Sequence, residues 1–425
     1  MMNDVTSAYV VNIVGFAGAA LLLRALAART GDWLSFAHVF SFVWTVNLLV
    51  AQLALNGRLR PEVPTLIVLF GAWWMFLAGA WWTTRTWTVS AQPTQGIEKV
   101  NGIAVLVALV ALQVIAFTFE VGRQQLSVAA LLGNLWRTGV ELRLDDVYSV
   151  GEYPFTFSIW RWDHVLYIPL AMYLHANRLI SAKSVAAILG LAVVMAFGRY
   201  TRAPVLQVAV ISLVCWLALY RPRARTKWIV AGAVTAVVLA AFVVSQLNLA
   251  AAYTNDEASV ESVFAYIGGS PLAYQALLRG DVPHDVAGLY SLDALNYVLF
   301  KLSVVQQYGG VIRPYVDAAL GTNIYTFLDA YTMDGGIAGA LFGAFLTGGV
   351  VAFVFNRART RPTYGNLTFY AYLTYCCAMA VANNEFIRTG VFINAGLAWL
   401  IGRLIHARPL TARRSVPLVQ DQATS

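Results

Sequence analysis

The chain has 425 residues, of which 59% are hydrophobic and only 12% charged, with a mean hydropathy of +0.65. Soluble domains carry about 25% charged residues, so this composition excludes a soluble multidomain protein. The net charge of +8 does not point to nucleic acid, because the positive residues fall in short loops between apolar runs.

A spanning helix needs about 20 mostly apolar residues. In chain order, eleven runs of that kind occur, at 8–27, 34–56, 64–82, 101–119, 161–178, 184–198, 203–220, 228–248, 333–355, 367–383 and 387–405. The expected fold is therefore an all-α polytopic membrane protein with about eleven transmembrane helices. The basic loops 221–227 and 356–366 and the tail after 405 are placed in the cytoplasm, following the bias of Lys and Arg. Residues 1–406 then form one integral membrane domain, and 407–425 a disordered cytoplasmic tail. Two segments, about 120–160 and 249–332, fall on the outer side, the second large and partly helical. Its stretch 286–308 spaces apolar residues at helical intervals and is expected to lie on the membrane surface.

Cys215, Cys376 and Cys377 lie in apolar runs, which argues against a disulfide framework or a zinc site. The chain holds no phosphate loop, dinucleotide fingerprint, zinc motif or nucleophile elbow. No metal or cofactor is expected.

Polar residues cluster at the outer ends of the runs. Arg199 and Arg202 sit in the break between the sixth and seventh runs. They either reach lipid headgroups or hold a diphosphate, for which the planar guanidinium is suited. Tyr266-Ile267-Gly268-Gly269-Ser270-Pro271 reads as a turn. As an alternative, its backbone could approach a phosphate. The stretch 319–336 carries Asn323, Tyr325, Tyr331 and Asp334 before Gly335 and Gly336. Asp334 is expected to cap the helix that follows; a role in orienting sugar or in catalysis is the alternative. Glu385 and Arg388 lie between the last two runs and could pair at i,i+3 or touch substrate. Asp163 and His164, beside Trp160 and Trp162, read as an interfacial belt with a local ion pair.

From Gly321 through Thr326, then at Tyr331, Asp334, Gly335 and Gly336, the chain resembles the Wzy-type oligosaccharide repeat-unit polymerases. Thr201-Arg202-Ala203-Pro204 is similar to that family's Ser-Arg element, with Thr in place of Ser, and 266–271 is similar to a third element. The resemblance covers the C-terminal half; the first 190 residues match in hydropathy alone. It implies a GT-C-like glycosyltransferase at the periplasmic face of the bacterial inner membrane, needing no cofactor. Its substrates would be undecaprenyl-diphosphate-linked glycans, and its partners a chain-length co-polymerase and a flippase. Under that resemblance Arg202 and Arg199, then Arg313 and Arg388, would stabilise the leaving diphosphate. Asp334 or Glu385, with His284 behind them, would act on the acceptor hydroxyl. Asn323, Tyr325 and Tyr331 would position sugars, and Tyr266, Gly268 and Gly269 would approach the substrate. A glycan ligase would share these features. A lipid-linked glycan flippase is a further alternative, disfavoured because the runs are nearly free of charge in their middles.

Overall fold

The computed structural model describes residues 2–30, 35–53, 60–85, 99–123, 163–198, 202–223, 225–236, 260–282, 290–304 and 325–406. Among them there is no strand. The helices are α1 (Met2–Thr30), α2 (Phe36–Leu53), α3 (Val63–Arg85), α4 (Lys99–Arg123), α5 (His164–Ala176), α6 (Ala182–Gly198) and α7 (Arg202–Tyr220). They continue with α8 (Val260–Arg279), α9 (Asp293–Lys301), α10 (Asp329–Thr360), α11 (Tyr364–Met379) and α12 (Thr389–His406). Residues 225–236 are also helical.

Each of the eleven apolar runs meets a helix over most of its described part. Among the described residues, five helices are long and apolar enough to cross a membrane: Thr6–Thr30, Val63–Thr84, Lys99–Phe119, Ala203–Tyr220 and Asp329–Thr360. Phe36–Gln52 and Ala182–Ala196 are apolar but shorter. Large apolar side chains stay exposed along them, among them Ile13, Leu21, Val107, Ile115, Phe342 and Leu346. Surfaces of that kind are unfavourable in water and natural in hydrocarbon. The chain is an α-helical membrane protein by this measure.

The centre of the bundle is aromatic. Phe40 stacks on Phe76 at 3.8 Å and 9°, and Phe327 meets Phe40, Trp44 and Phe76 edge-on. Beside this cluster α3 and α10 pack most closely. A Cβ on Gly348 would collide with the Phe76 carbonyl oxygen, and one on Gly79 with that of Phe345. Small residues that let helix backbones touch are the usual basis of close packing in a bilayer.

The Gly-Gly-Ser-Pro sequence is not a turn. Residues 266–271 lie inside α8. This helix packs on α2, with smaller contacts to α3 and α10, and buries Ala273, Tyr274, Ala276 and Leu277. A Cβ on Gly268 would lie 2.8 Å from the Ala51 nitrogen of α2, so its missing side chain serves helix packing. Pro271 is tolerated for a specific reason. Lacking an N–H, it leaves the carbonyl four residues earlier, at Ile267, without its helical donor. The Asn47 side-chain amide of α2 donates to that carbonyl and also lies 3.0 Å from Ser270 Oγ. An unmatched buried carbonyl costs about 1–3 kcal/mol. Asn47→Leu should therefore lower stability by about that amount in the native background. In a Pro271→Ala background, where the backbone donor returns, most of the loss should vanish; equal losses in both backgrounds would refute the assignment.

Candidate functional site

The polar residues around 319–336 acquire their geometry from a chain reversal. Within α10 the backbone leaves helical values at Gly335 (φ −141°, ψ 18°) and Gly336 (φ 59°, ψ −150°). Gly336 occupies a region that side-chain-bearing residues avoid. The turn 329–334 folds back along the helix that starts at 337. The Tyr331 ring lies where a Cβ on Gly343 would be, and its hydroxyl is 3.1 Å from Thr347 Oγ1. Tyr331 is therefore packed against its own helix. Thr332 Oγ1 lies 2.7 Å from the Tyr274 hydroxyl, tying the reversal to α8.

The start of this stretch is held by the linker between α11 and α12. Phe327 N–H donates to the Ala380 carbonyl at 2.8 Å, and the Asn384 amide donates to the Phe327 carbonyl at 2.6 Å. Tyr325 is 2% exposed and forms part of the core.

Asp334 precedes the break and does not cap the helix that follows at 337, because both of its carboxylate oxygens are engaged elsewhere. Its two carboxylate oxygens accept the backbone N–H groups of Tyr290 (2.6 Å) and Ser291 (2.7 Å). Asp334 thus fastens the segment leading into α9 to the reversal. Behind it, Asp293 opens α9 and is close enough to Glu385 to disfavour a charge there.

Glu385 and Arg388 form the expected i,i+3 pair, Oε1 to Nη1 at 3.2 Å. Asn383 donates to the same oxygen at 3.2 Å. Glu385 is buried. Burial pushes its carboxyl above the ordinary value of 4.5, Arg388 pulls it back, and Asp293 pushes it up again. Two polar atoms beside this pair, Asn384 Oδ1 and Arg388 Nε, are buried without a hydrogen-bond partner among the described residues. A buried, partly desolvated carboxylate next to one unused acceptor and one unused donor can accept a proton from a hydroxyl and orient it. Among the described residues, no cluster of His, Cys, Asp or Glu could hold a metal ion.

The structure thus joins Tyr331, Asp334, Glu385 and Arg388 through Phe327, Asn384 and Asp293. Arg199, Arg313, Asn323 and His284 lie outside the described residues. Arg202 is the first residue of α7, and Tyr266 lies in α8; the side chains of both fall outside the described set. Gly268 and Gly269 are buried in α8. The role of Asn384 has no signal in the sequence beyond its neighbours.

A second polar group also departs from expectation. Asp163 and His164 are not interfacial, being 0% and 2% exposed. His164 Nε2 lies 2.7 Å from Gln207 Oε1 of α7, and its Nδ1 lies 3.3 Å from Gln113 Nε2 of α4. Tyr167 donates to Gln113 Oε1 at 2.5 Å. With the Gln113 oxygen so occupied, its amide nitrogen faces Nδ1, and His164 carries its proton on Nε2. Buried ionisable groups therefore sit at the first turn of α5, at the end of the span and not in its middle.

Fold and site together define an α-helical membrane protein with a polar cluster at one end of its bundle. No family model matches the chain, and neither the curated proteins nor the solved structures contain a significant match.

Proposed function

We propose that the chain is a membrane glycosyltransferase of the oligosaccharide repeat-unit polymerase type. It would act on undecaprenyl-diphosphate-linked glycans at the periplasmic face of a bacterial inner membrane. One observation carries the reading: elements distant in sequence, at 290–293, 325–336 and 380–388, meet at one end of the bundle around the Glu385–Arg388 pair. In this reading the acceptor sugar hydroxyl loses its proton to the Glu385 carboxylate. The hydroxyl oxygen bonds to the anomeric carbon of the growing glycan. The bond from that carbon to the diphosphate oxygen breaks, and undecaprenyl diphosphate leaves with the electron pair. Arg202, Arg199 and Arg313 are assigned to the diphosphate, whose developing charge needs cations aimed at it. Asn323 is assigned to the sugars. Asp334, with both oxygens on backbone donors, is assigned to holding the segment before α9 in place. A chain-length co-polymerase and a flippase would be its partners.

A glycan ligase would use the same chemistry on a different acceptor. The buried Gln113–His164–Gln207 network favours a second reading, a transporter for lipid-linked glycans, since polar groups inside a bundle often line a path. Deletion of the gene separates the three. Loss of a polymerase leaves single repeat units on the cell surface, loss of a ligase leaves none attached, and loss of a transporter leaves the lipid-linked units on the cytoplasmic side. Only the first outcome is expected.

A further inference from the structure

A cavity of about 490 Å³ lies at the other end of the bundle, lined by His175, Ala176, Arg178, Ile180, Leu219 and Tyr220. Its position follows from the rings beneath it. Tyr173 lies against Tyr364 and His406, which begin α11 and end α12; Glu385 sits at the opposite ends of those two helices. The cavity is formed where α5 and α7 terminate side by side. Its far wall is fixed by a 2.5 Å hydrogen bond between His175 Nδ1 and the Tyr220 hydroxyl.

Arg178 in this lining, and Arg221 next in sequence to Tyr220, occupy backbone positions that favour glycine. α5 closes with Arg178 N–H on the His175 carbonyl (2.8 Å) and Leu179 N–H on the Leu174 carbonyl (2.9 Å). That pattern places Arg178 at the left-handed residue after the helix, most often Gly. Its φ is 60°, and that of Arg221, directly after α7, is 44°. Only one other non-glycine residue among those described, Ser303, has a positive φ. The partial negative charge of a helix C-terminus favours arginine nearby, but a position in the last turn would serve that purpose without backbone strain. Strained residues gather where a ligand is held. Arg178 makes no ion pair with any described residue.

We propose that this cavity binds the phosphate of an anionic phospholipid. The Arg178 guanidinium would form the charge-assisted contact, with His175 and Tyr220 beside it and Ile180 and Leu219 against the glycerol and the first acyl carbons. Arg221 and the basic residues after it would supply the surrounding positive field. A lipid fits better than a free phosphate because the walls are mostly apolar and α7, a helix long and apolar enough to cross a membrane, ends here. The site is independent of the proposed glycan chemistry.

The test is thermal unfolding of the purified full chain in a neutral detergent, titrated with phosphatidylglycerol, phosphatidylcholine or inorganic phosphate. Phosphatidylglycerol should raise Tm, and the other two should not. Arg178→Gly should raise the starting Tm, because glycine relieves the left-handed backbone. It should also weaken the phosphatidylglycerol response by about tenfold or more in lipid concentration. Arg178→Gln should weaken the response without the rise. An unchanged response in both variants would overturn the site, as would an equal shift from phosphatidylcholine. An equal shift from inorganic phosphate would overturn the lipid assignment.

Discussion

A Gly348→Val protein should fail to form the native bundle. The α-carbon hydrogen of Gly348 faces the Phe76 carbonyl of α3, and any Cβ there would overlap it. The obstacle is backbone, so no rotamer change can relieve it, and α3 and α10 would have to separate. Gly79 makes the reciprocal contact on Phe345, and beside this interface Phe36 and Phe40 of α2 pack on Phe76 of α3, with Phe36 also against Phe355 of α10. Overpacking a well-filled core costs about 1–3 kcal/mol, and a branched side chain against main chain belongs at or above the upper end. The expected result is loss of monodisperse protein after extraction. The milder Gly348→Ala should survive with a clearly lowered Tm. A valine variant that extracts and melts like the native chain would show that α3 and α10 do not pack as described.

Replacing Glu385 with Gln should sharply slow glycan elongation while leaving the protein folded. Glutamine keeps the shape and can accept from Asn383, but it cannot take a proton. A general base contributes about 10²–10⁴-fold to rate, so turnover should fall at least about 10²-fold. The pH dependence follows from the sign of the shift. A base must be ionised to act, and burial raises the Glu385 carboxyl above 4.5. The native rate should therefore decline on the acid side at a pH above that of an ordinary glutamate. That limb should disappear from the residual rate of the Gln variant. Full activity in Glu385→Gln would remove the residue from the chemistry and leave its pairing with Arg388 as its whole role.

The helices were legible in the sequence because hydrocarbon demands long apolar runs, and each run meets a helix. α8 was not, because Gly268, Gly269 and Pro271 are poor helix residues on their own. Tertiary contacts override that propensity: α2 packs against the glycine face, and Asn47 replaces the donor that proline removes. The apolar run 333–355 read as continuous through Gly335 and Gly336, and nothing in it showed that the backbone would break there and fold Tyr331 back onto Gly343. Asp334 looked like a cap for the nearest helix; its donors come from residues 43 and 44 positions earlier, a distance at which sequence carries no pairing signal. The Glu385–Arg388 pair was readable because it is local. His164 misled because tryptophans and charges together suggest a membrane surface, whereas partners from α4 and α7 let it sit inside.

The most direct test of the central claim is reconstitution. The purified chain in proteoliposomes is supplied with its organism's undecaprenyl-diphosphate-linked repeat unit, and glycan length and free undecaprenyl diphosphate are measured together. The account predicts glycans of two or more repeat units, with one undecaprenyl diphosphate released for each unit joined. Movement of the intact lipid-linked unit across the bilayer, with no new glycosidic bond and no released diphosphate, would contradict it.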